Sequence, residues 1–299
     1  MLPDCVFILS AKSSGSSALQ RELKNRFGYS TALSPGHYEN ETLFWSKAAS
    51  ILGLQQQSLP ESEVPIRPQR ARREVVEFLS LNGISIPEEP FTEKQLFSAW
   101  SDLIKANRNR LIEKSPHHLY QEEVVKLMEK YVKFHGNIVF LGIIRNPLDT
   151  LYSSWRRFGI SPAEEERFWV NAYTNLQNLK SRCPEIVQIF KYEDLVNQQK
   201  NHVQFSFEDD QHKNISSDFN AKSIGKWKSD PDFVHKLSPD TISLANEFGY
   251  SIDSLHNQNA GRITMRYYFR QLIKRYYGRV PNKYKNQIIK PFLSKIIKK

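Results

Sequence analysis

CVFILSAKSSGSSALQREL, residues 5 to 23, is the stretch on which the fold turns. Cys5 to Leu9 is continuously apolar, as a strand buried on both faces is. Ser10 to Ser17 is a run of small hydroxylated residues around Lys12 and Gly15, and an amphipathic helix pattern runs from about Ser16 to Phe27. A turn of this kind, between a buried strand and a helix N-terminus, brings several backbone N–H groups and the positive end of the helix dipole to one point, which suits an oxyanion. Gly15 lets the backbone approach such a group closely, Ser13, Ser14, Ser16 and Ser17 add hydroxyl donors, and Lys12 adds a charge. A tight connection capped by serine is the competing reading of the same residues.

The unit repeats further along. Ile138 to Ile144 is a second apolar run; Arg145 ends it, Asn146 is a plausible N-cap and Pro147 stands at the first helical position. Ile186 to Phe190 leads into Lys191-Tyr-Glu-Asp-Leu195, and Leu111-Ile112 forms a fourth short strand before Glu113-Lys-Ser-Pro116. Helices are expected near Thr92 to Asn107, from about Pro116 to Lys133, and from Pro162 to about Ser181, the last with Ser161 as cap and Glu164, Glu165 and Glu166 in its first turn. Gln55 to Arg73 and Asn197 to Ser217 read as loops or insertions. Buried strands alternating with helices predict an α/β fold, a parallel sheet with helices on both faces.

Of the 299 residues, two are cysteines, Cys5 and Cys183, so spacing supports neither a disulfide framework nor a metal cluster. A reducing, cytoplasmic setting fits, and no apolar stretch approaches the roughly 20 residues of a membrane span. The formal charge of +10 is unevenly placed: Gly261 to Lys299 holds twelve Lys and Arg and no Asp or Glu, which leaves the preceding body near −2. Within that extension Arg262, Arg266, Arg270 and Lys274 recur every fourth residue, while Met265, Tyr268, Phe269, Leu272 and Tyr276 keep helical spacing. A basic amphipathic helix of this type packs on the body or lies peripherally on an anionic membrane surface; nucleic acid is a weaker third partner. The division expected is residues 1–260 as one catalytic domain and 261–299 as a basic extension.

Arg145-Asn-Pro-Leu-Asp149-Thr-Leu-Tyr-Ser153 puts an arginine at a strand end and a serine eight residues later, two turns into a helix. With the small-residue turn, this pair resembles the sulfotransferase family that uses 3'-phosphoadenosine 5'-phosphosulfate (PAPS). EKSPHHL from Glu113, KYEDL from Lys191, IGKWKSD from Ile224 and LSPDTISLANEFGY from Leu237 follow in the family's order, so the likeness spans about residues 5 to 252. It implies the phosphate-loop-like sulfotransferase fold, with an acceptor-side insertion at about 35–110. It implies that Ser13, Ser14, Gly15, Ser16 and Ser17 clasp the 5'-phosphosulfate, and that Arg145 and Ser153 hold the 3'-phosphate. Tyr192 would then contact adenine, and Lys222, Ser223 and Lys226 would close over the 3'-phosphate.

The resemblance makes PAPS the co-substrate and adenosine 3',5'-bisphosphate (PAP) the product, with no metal. Lys12 and Lys114 are the candidate catalytic cations, and Lys12 lies one place earlier than the family's basic residue. Glu113, His117 and His118 are the candidate bases for the acceptor proton. The acceptor could be a small molecule, a glycan or a lipid. Two other readings stay open. An ATP-dependent kinase would need Gly-Lys-Ser or Gly-Lys-Thr in its phosphate loop, and the chain has neither. A non-enzymatic basic adaptor would bind no nucleotide.

Overall fold

The structure, a computed structural model, describes residues 2–34, 40–58, 64–85, 91–197, 205–207, 219 and 221–261. Five parallel strands form one sheet: β1 (Cys5–Ser10), β2 (Ser30–Thr31), β3 (Leu111–Lys114), β4 (Ile138–Ile144) and β5 (Val187–Lys191), in the order β2-β3-β1-β4-β5. Strand β1 is central, with Val6 opposite both Ile112 and Val139. Because all strands run the same way, Ser10, Lys114, Ile144 and Lys191 close one edge of the sheet.

The period-2 alternation of β1 divides the core between two faces. Val6 and Ile8 pack with Leu19 and Leu23 of α1 (Ser16–Phe27) and with Leu195 of α8 (Tyr192–Asn197). Cys5, Phe7 and Leu9 enter a larger core. Phe7 meets Trp45 of α2 (Phe44–Ile51) at 5.7 Å between ring centroids and Trp100 of α4 (Glu93–Ala106) at 6.3 Å. That core also takes α3 (Pro68–Leu81), α5 (Glu122–His135), α6 (Pro147–Phe158), α7 (Pro162–Arg182) and α9 (Pro239–Glu247). Helices α2, α3 and α4 come from the 35–110 stretch, so this region supplies a large part of one core wall.

Two expectations need correction. Gln55 to Arg73 is not loop throughout, because α3 starts at Pro68 and buries Ala71, Val75, Phe78 and Leu79 at helical spacing. Its exposed face is charged, with Arg70 paired to Glu74, and that charge hides the apolar stripe in a composition reading. The helix expected from Pro116 to Lys133 is broken: Pro116–His118 is a short 3-10 turn, and α5 begins only at Glu122. His118, Leu119, Tyr120 and Gln121 are all buried between the two, a burial that one continuous helix face would not give. Among the described residues no helix is long and apolar enough to cross a membrane. The basic helix expected after Gly261 lies outside the described residues, as does most of Asn197 to Ser217.

Candidate active site

The turn after β1 is braced from behind by two tyrosines. The Lys12 amide donates to Tyr120 Oη at 2.8 Å and the Ala11 amide to Tyr173 Oη at 3.4 Å. Ser14 is fully buried, and its hydroxyl is hydrogen-bonded to Tyr173 Oη at 2.8 Å. Tyr173 in turn donates to the Ile143 carbonyl at 3.0 Å, so one side chain ties the turn to β4. Ser13 and Gly15 take left-handed φ of 62° and 96°, which bends the chain into α1. The amides from Ser13 to Ser17 have no hydrogen-bond partner among the described residues, leaving the start of α1 with its donors uncommitted. Lys12 Nζ likewise has no hydrogen-bond or ion-pair partner among them. A Cβ at Gly15 would fall 2.6 Å from Tyr192 Cε2, so both the φ and the close ring require glycine there.

Arg145 joins four segments. Its Nη1 donates to the Ser13 carbonyl at 3.0 Å and its Nη2 to the Ser223 carbonyl at 2.6 Å. The guanidinium lies over the Tyr192 ring, 4.8 Å from its centroid, and Tyr192 Oη bonds Ser223 Oγ at 2.9 Å. Arg145 Nε is buried without a partner. Asp149, one turn into α6, stands 3.9 Å from Arg145 and accepts the Gly225 amide at 2.8 Å. Burial outweighs the Arg145 charge at Asp149 and pushes its carboxyl up to about 6. Ser153, chosen from sequence, is half-buried, but the serine of α6 that reaches the turn is Ser154, whose hydroxyl donates to Ser13 Oγ at 3.4 Å. Lys222 and Lys226 are exposed on the segment behind Ser223, and Trp227 is buried as packing. A cleft of about 310 Å³, lined by Asn146, Asp149, Glu193, Gly225 and Lys228, opens beside Arg145.

The other wall of the site starts at the end of β3. Lys114 donates to Glu41 Oε1 at 2.8 Å, and His117 Nδ1 lies 3.9 Å from Glu41 Oε2. Glu113, a candidate base, is closed off: it is 1% exposed and accepts from Thr42 at 2.9 Å, Ser115 at 2.6 Å and His118 Nε2 at 3.0 Å. His118 is equally buried, its Nδ1 bonded to Ser46 Oγ at 2.9 Å. These two residues lock the Thr42–Ser46 segment to the 3-10 turn and have no free edge for an acceptor. Glu41, half-buried beside Lys114 and His117, was not found from sequence. Neither were Tyr120 and Tyr173, whose contacts lie far away along the chain.

The residues present suit a nucleotide carrying anions at both ends. Uncommitted amides and a free lysine meet at the turn, and an arginine with an unpartnered buried Nε stands across from them. Among the described residues no cluster of His, Cys, Asp and Glu could hold a metal ion.

Comparison with known proteins bears on the family and the fold. Among curated proteins no sequence matches the chain significantly. Solved structures share its fold, among them two sulfotransferase domains. The sulfotransferase domain of the Synechococcus PCC 7002 olefin synthase is 19% identical, with a TM-score of 0.55, and the match covers 84% of this chain and 96% of that one. The sulfotransferase domain of the curacin biosynthetic pathway is 20% identical, with a TM-score of 0.52, over 84% and 99% respectively. The sulfotransferase family model matches residues 3–204, which include the turn, Lys114, Arg145 and Tyr192, and the chain therefore belongs to the sulfotransferase family.

Proposed function

We propose that the chain transfers the sulfuryl group of PAPS, in line, to a hydroxyl or amine of a carbohydrate, lipid or small-molecule acceptor. The observation that carries this reading is the bridge by which Arg145 spans the Ser13 and Ser223 carbonyls over the Tyr192 ring. That bridge gathers the β1–α1 turn, Arg145 and Tyr192 at one sheet edge, which supports a donor with two anionic ends.

PAPS supplies an already activated sulfuryl group, so the protein's task is positioning and charge stabilisation. In this reading the Ser13 to Ser17 amides hold the 5' side and Lys12 offsets the charge that builds on the bridging oxygen as the S–O bond breaks. Arg145 exchanges its carbonyl partners for the 3'-phosphate, with Ser153, Ser223, Lys222 and Lys226 around it. On the acceptor side Glu41 takes the proton as the new O–S or N–S bond forms. Lys114 orients that carboxylate through its ion pair, with His117 beside it.

The test is thermal stabilisation by PAP against ATP. Wild-type protein is expected to be stabilised by PAP and Arg145→Ala is expected to lose that response, since each charge-assisted hydrogen bond is worth about 1.5–3 kcal/mol. Arg145→Lys keeps the charge and controls for folding. An undiminished PAP response in Arg145→Ala overturns the site, and stabilisation by ATP in preference to PAP supports the kinase reading instead.

A further inference from the structure

Asp149 stands in the first turn of α6, 3% exposed, and the proposed reaction gives it no part. One of its carboxylate oxygens faces two partners. Oδ1 accepts the Gly225 amide at 2.8 Å and lies 3.9 Å from Nη2 of Arg145, the nitrogen that donates to the Ser223 carbonyl. Arg145 and Asp149 therefore set a donor and an acceptor side by side, and the backbone from Ser223 to Gly225 answers with a carbonyl and an amide two residues apart. The two contacts of Oδ1 differ in kind. The Gly225 bond is direct, whereas 3.9 Å is attraction without a hydrogen bond, so Asp149 can keep its amide while the guanidinium turns to another acceptor.

The segment is held differently on either side of Gly225. Before it, Ser223 is tied to groups of the site itself, its carbonyl to Arg145 and its hydroxyl to Tyr192 Oη at 2.9 Å. After it, the tethers lead away from the site. Trp227 is buried in the larger core, the Asp230 carboxylate accepts from Tyr152 Oη at 3.0 Å, and Asn259 donates to the Asp230 carbonyl. Gly225 takes a left-handed φ of 70° and precedes the short 3-10 turn Lys226–Ser229. Asp149 holds the chain at the junction between a part that a ligand on Arg145 rearranges and a part that the core fixes.

We propose that Asp149 is a positioning residue for the nucleotide's 3'-phosphate: through the Gly225 amide it keeps the Lys222–Lys226 segment against the site when Arg145 leaves the Ser223 carbonyl for that phosphate. Asp149 does not touch the phosphate, and its charge opposes one. What it supplies is the place of the backbone that carries Lys222, Ser223 and Lys226.

This inference rests on Arg145 taking the 3'-phosphate. Adenosine 5'-monophosphate (AMP) lacks only the 3'-phosphate of PAP, so the ratio of the two affinities, measured by calorimetry at pH 8, isolates that group. Wild type is expected to prefer PAP, and Asp149→Ala to lose about tenfold of that preference with its AMP affinity unchanged, as the loss of one charge-assisted hydrogen bond gives. Asp149→Asn retains an acceptor for the Gly225 amide and is expected to stay within about threefold of wild type. Equal losses for PAP and AMP in Asp149→Ala mark a merely structural residue and overturn the proposal. So does a loss in Asp149→Asn as large as in Asp149→Ala, which traces the effect to the charge beside Arg145. A further measurement needs no variant: in wild type the Gly225 amide is expected to stay protected from hydrogen exchange when PAP binds, and its deprotection overturns the anchor. If Arg145→Ala loses the preference for PAP while Asp149→Ala keeps it, this inference alone falls. If Arg145→Ala keeps that preference, the donor site falls with it.

Discussion

The two walls of the site are built in opposite ways. Around Glu113 every donor and acceptor is spent: Thr42, Ser115 and His118 saturate the carboxylate, and Ser46 takes the other nitrogen of His118. Around the β1–α1 turn the capacity is held in reserve, with amides from Ser13 to Ser17 uncommitted and Lys12 free of any direct partner among the described residues. A saturated buried network fixes the shape of a wall. An unsaturated one costs stability and is tolerated where a ligand completes it. The difference therefore separates residues that shape the site, such as Glu113, from residues that bind in it, such as Lys12.

Breaking the saturated wall should have the largest effect, on stability. Glu113→Ala removes the acceptor of three hydrogen bonds and strands His118 in the core. It is expected to lower unfolding free energy by about 3–5 kcal/mol. Denaturant midpoints measure this. At temperatures where the variant stays folded, its stabilisation by PAP should persist, because the turn and Arg145 do not depend on Glu113. Loss of PAP response with little loss of stability would reverse the assignment of this wall.

The same contrast explains what the sequence could and could not reveal. Strand β4 and helix α1 have the bounds their patterns predict, because a continuous apolar run and a small-residue turn are local signals. Gly15 and Arg145 were legible for the same reason, being placed by a strand end within a few residues. The braces were not. Lys12 and Tyr120 are 108 residues apart, Ala11 and Tyr173 are 162 apart, and Glu41 and Lys114 are 73 apart, so no local period links them. Glu113 read as a base because its motif is chemically suggestive, and burial, which local sequence does not display, decides against that role. Ser153 and Ser154 are both serines on α6, and the contact of Ser154 with Ser13 is set by the packing of α6 against the turn, which no local pattern displays.

Neighbouring carboxylates on α7 sharpen the comparison at intermediate size. Glu165, unpartnered, is pushed up to about 7 by burial. At Glu166 burial would act the same way, but His235, Thr241 and Ser238 outweigh it and bring that carboxyl down to about 2. Their effects on stability have opposite signs. A raised folded pKa costs stability as pH rises from the unfolded value toward about 7, so Glu165→Gln should be more stable than wild type at pH 8, by about 3 kcal/mol, and should match it near pH 4. A depressed folded pKa stabilises above the unfolded value, so Glu166→Gln should lose about 2 kcal/mol at pH 7 and recover parity as pH falls toward 2. Melting curves of both variants across pH 2 to 8 read the two slopes, and slopes of the same sign would refute the distinction.

The smallest expected effect tests whether the reserve at the turn depends on the bracing behind it. Tyr173→Phe removes one hydroxyl that accepts from Ala11, bonds Ser14 and donates to the Ile143 carbonyl. The stability loss should be about 1–2 kcal/mol, the cost of leaving buried partners unpaired, and the ring's packing should survive. Its effect on PAP should be disproportionate to that loss, because Ser14 and Ala11 set where the amides from Ser13 to Ser17 point, and an anion site loses strength steeply when its donors are misdirected. Tyr120→Phe, which frees only the Lys12 amide, is the control with one contact of the same kind. If Tyr173→Phe weakens PAP binding several times more than Tyr120→Phe does, the turn owes its shape to the bond between Ser14 and Tyr173. Equal weakening would instead assign that shape to the left-handed backbone of Ser13 and Gly15 alone.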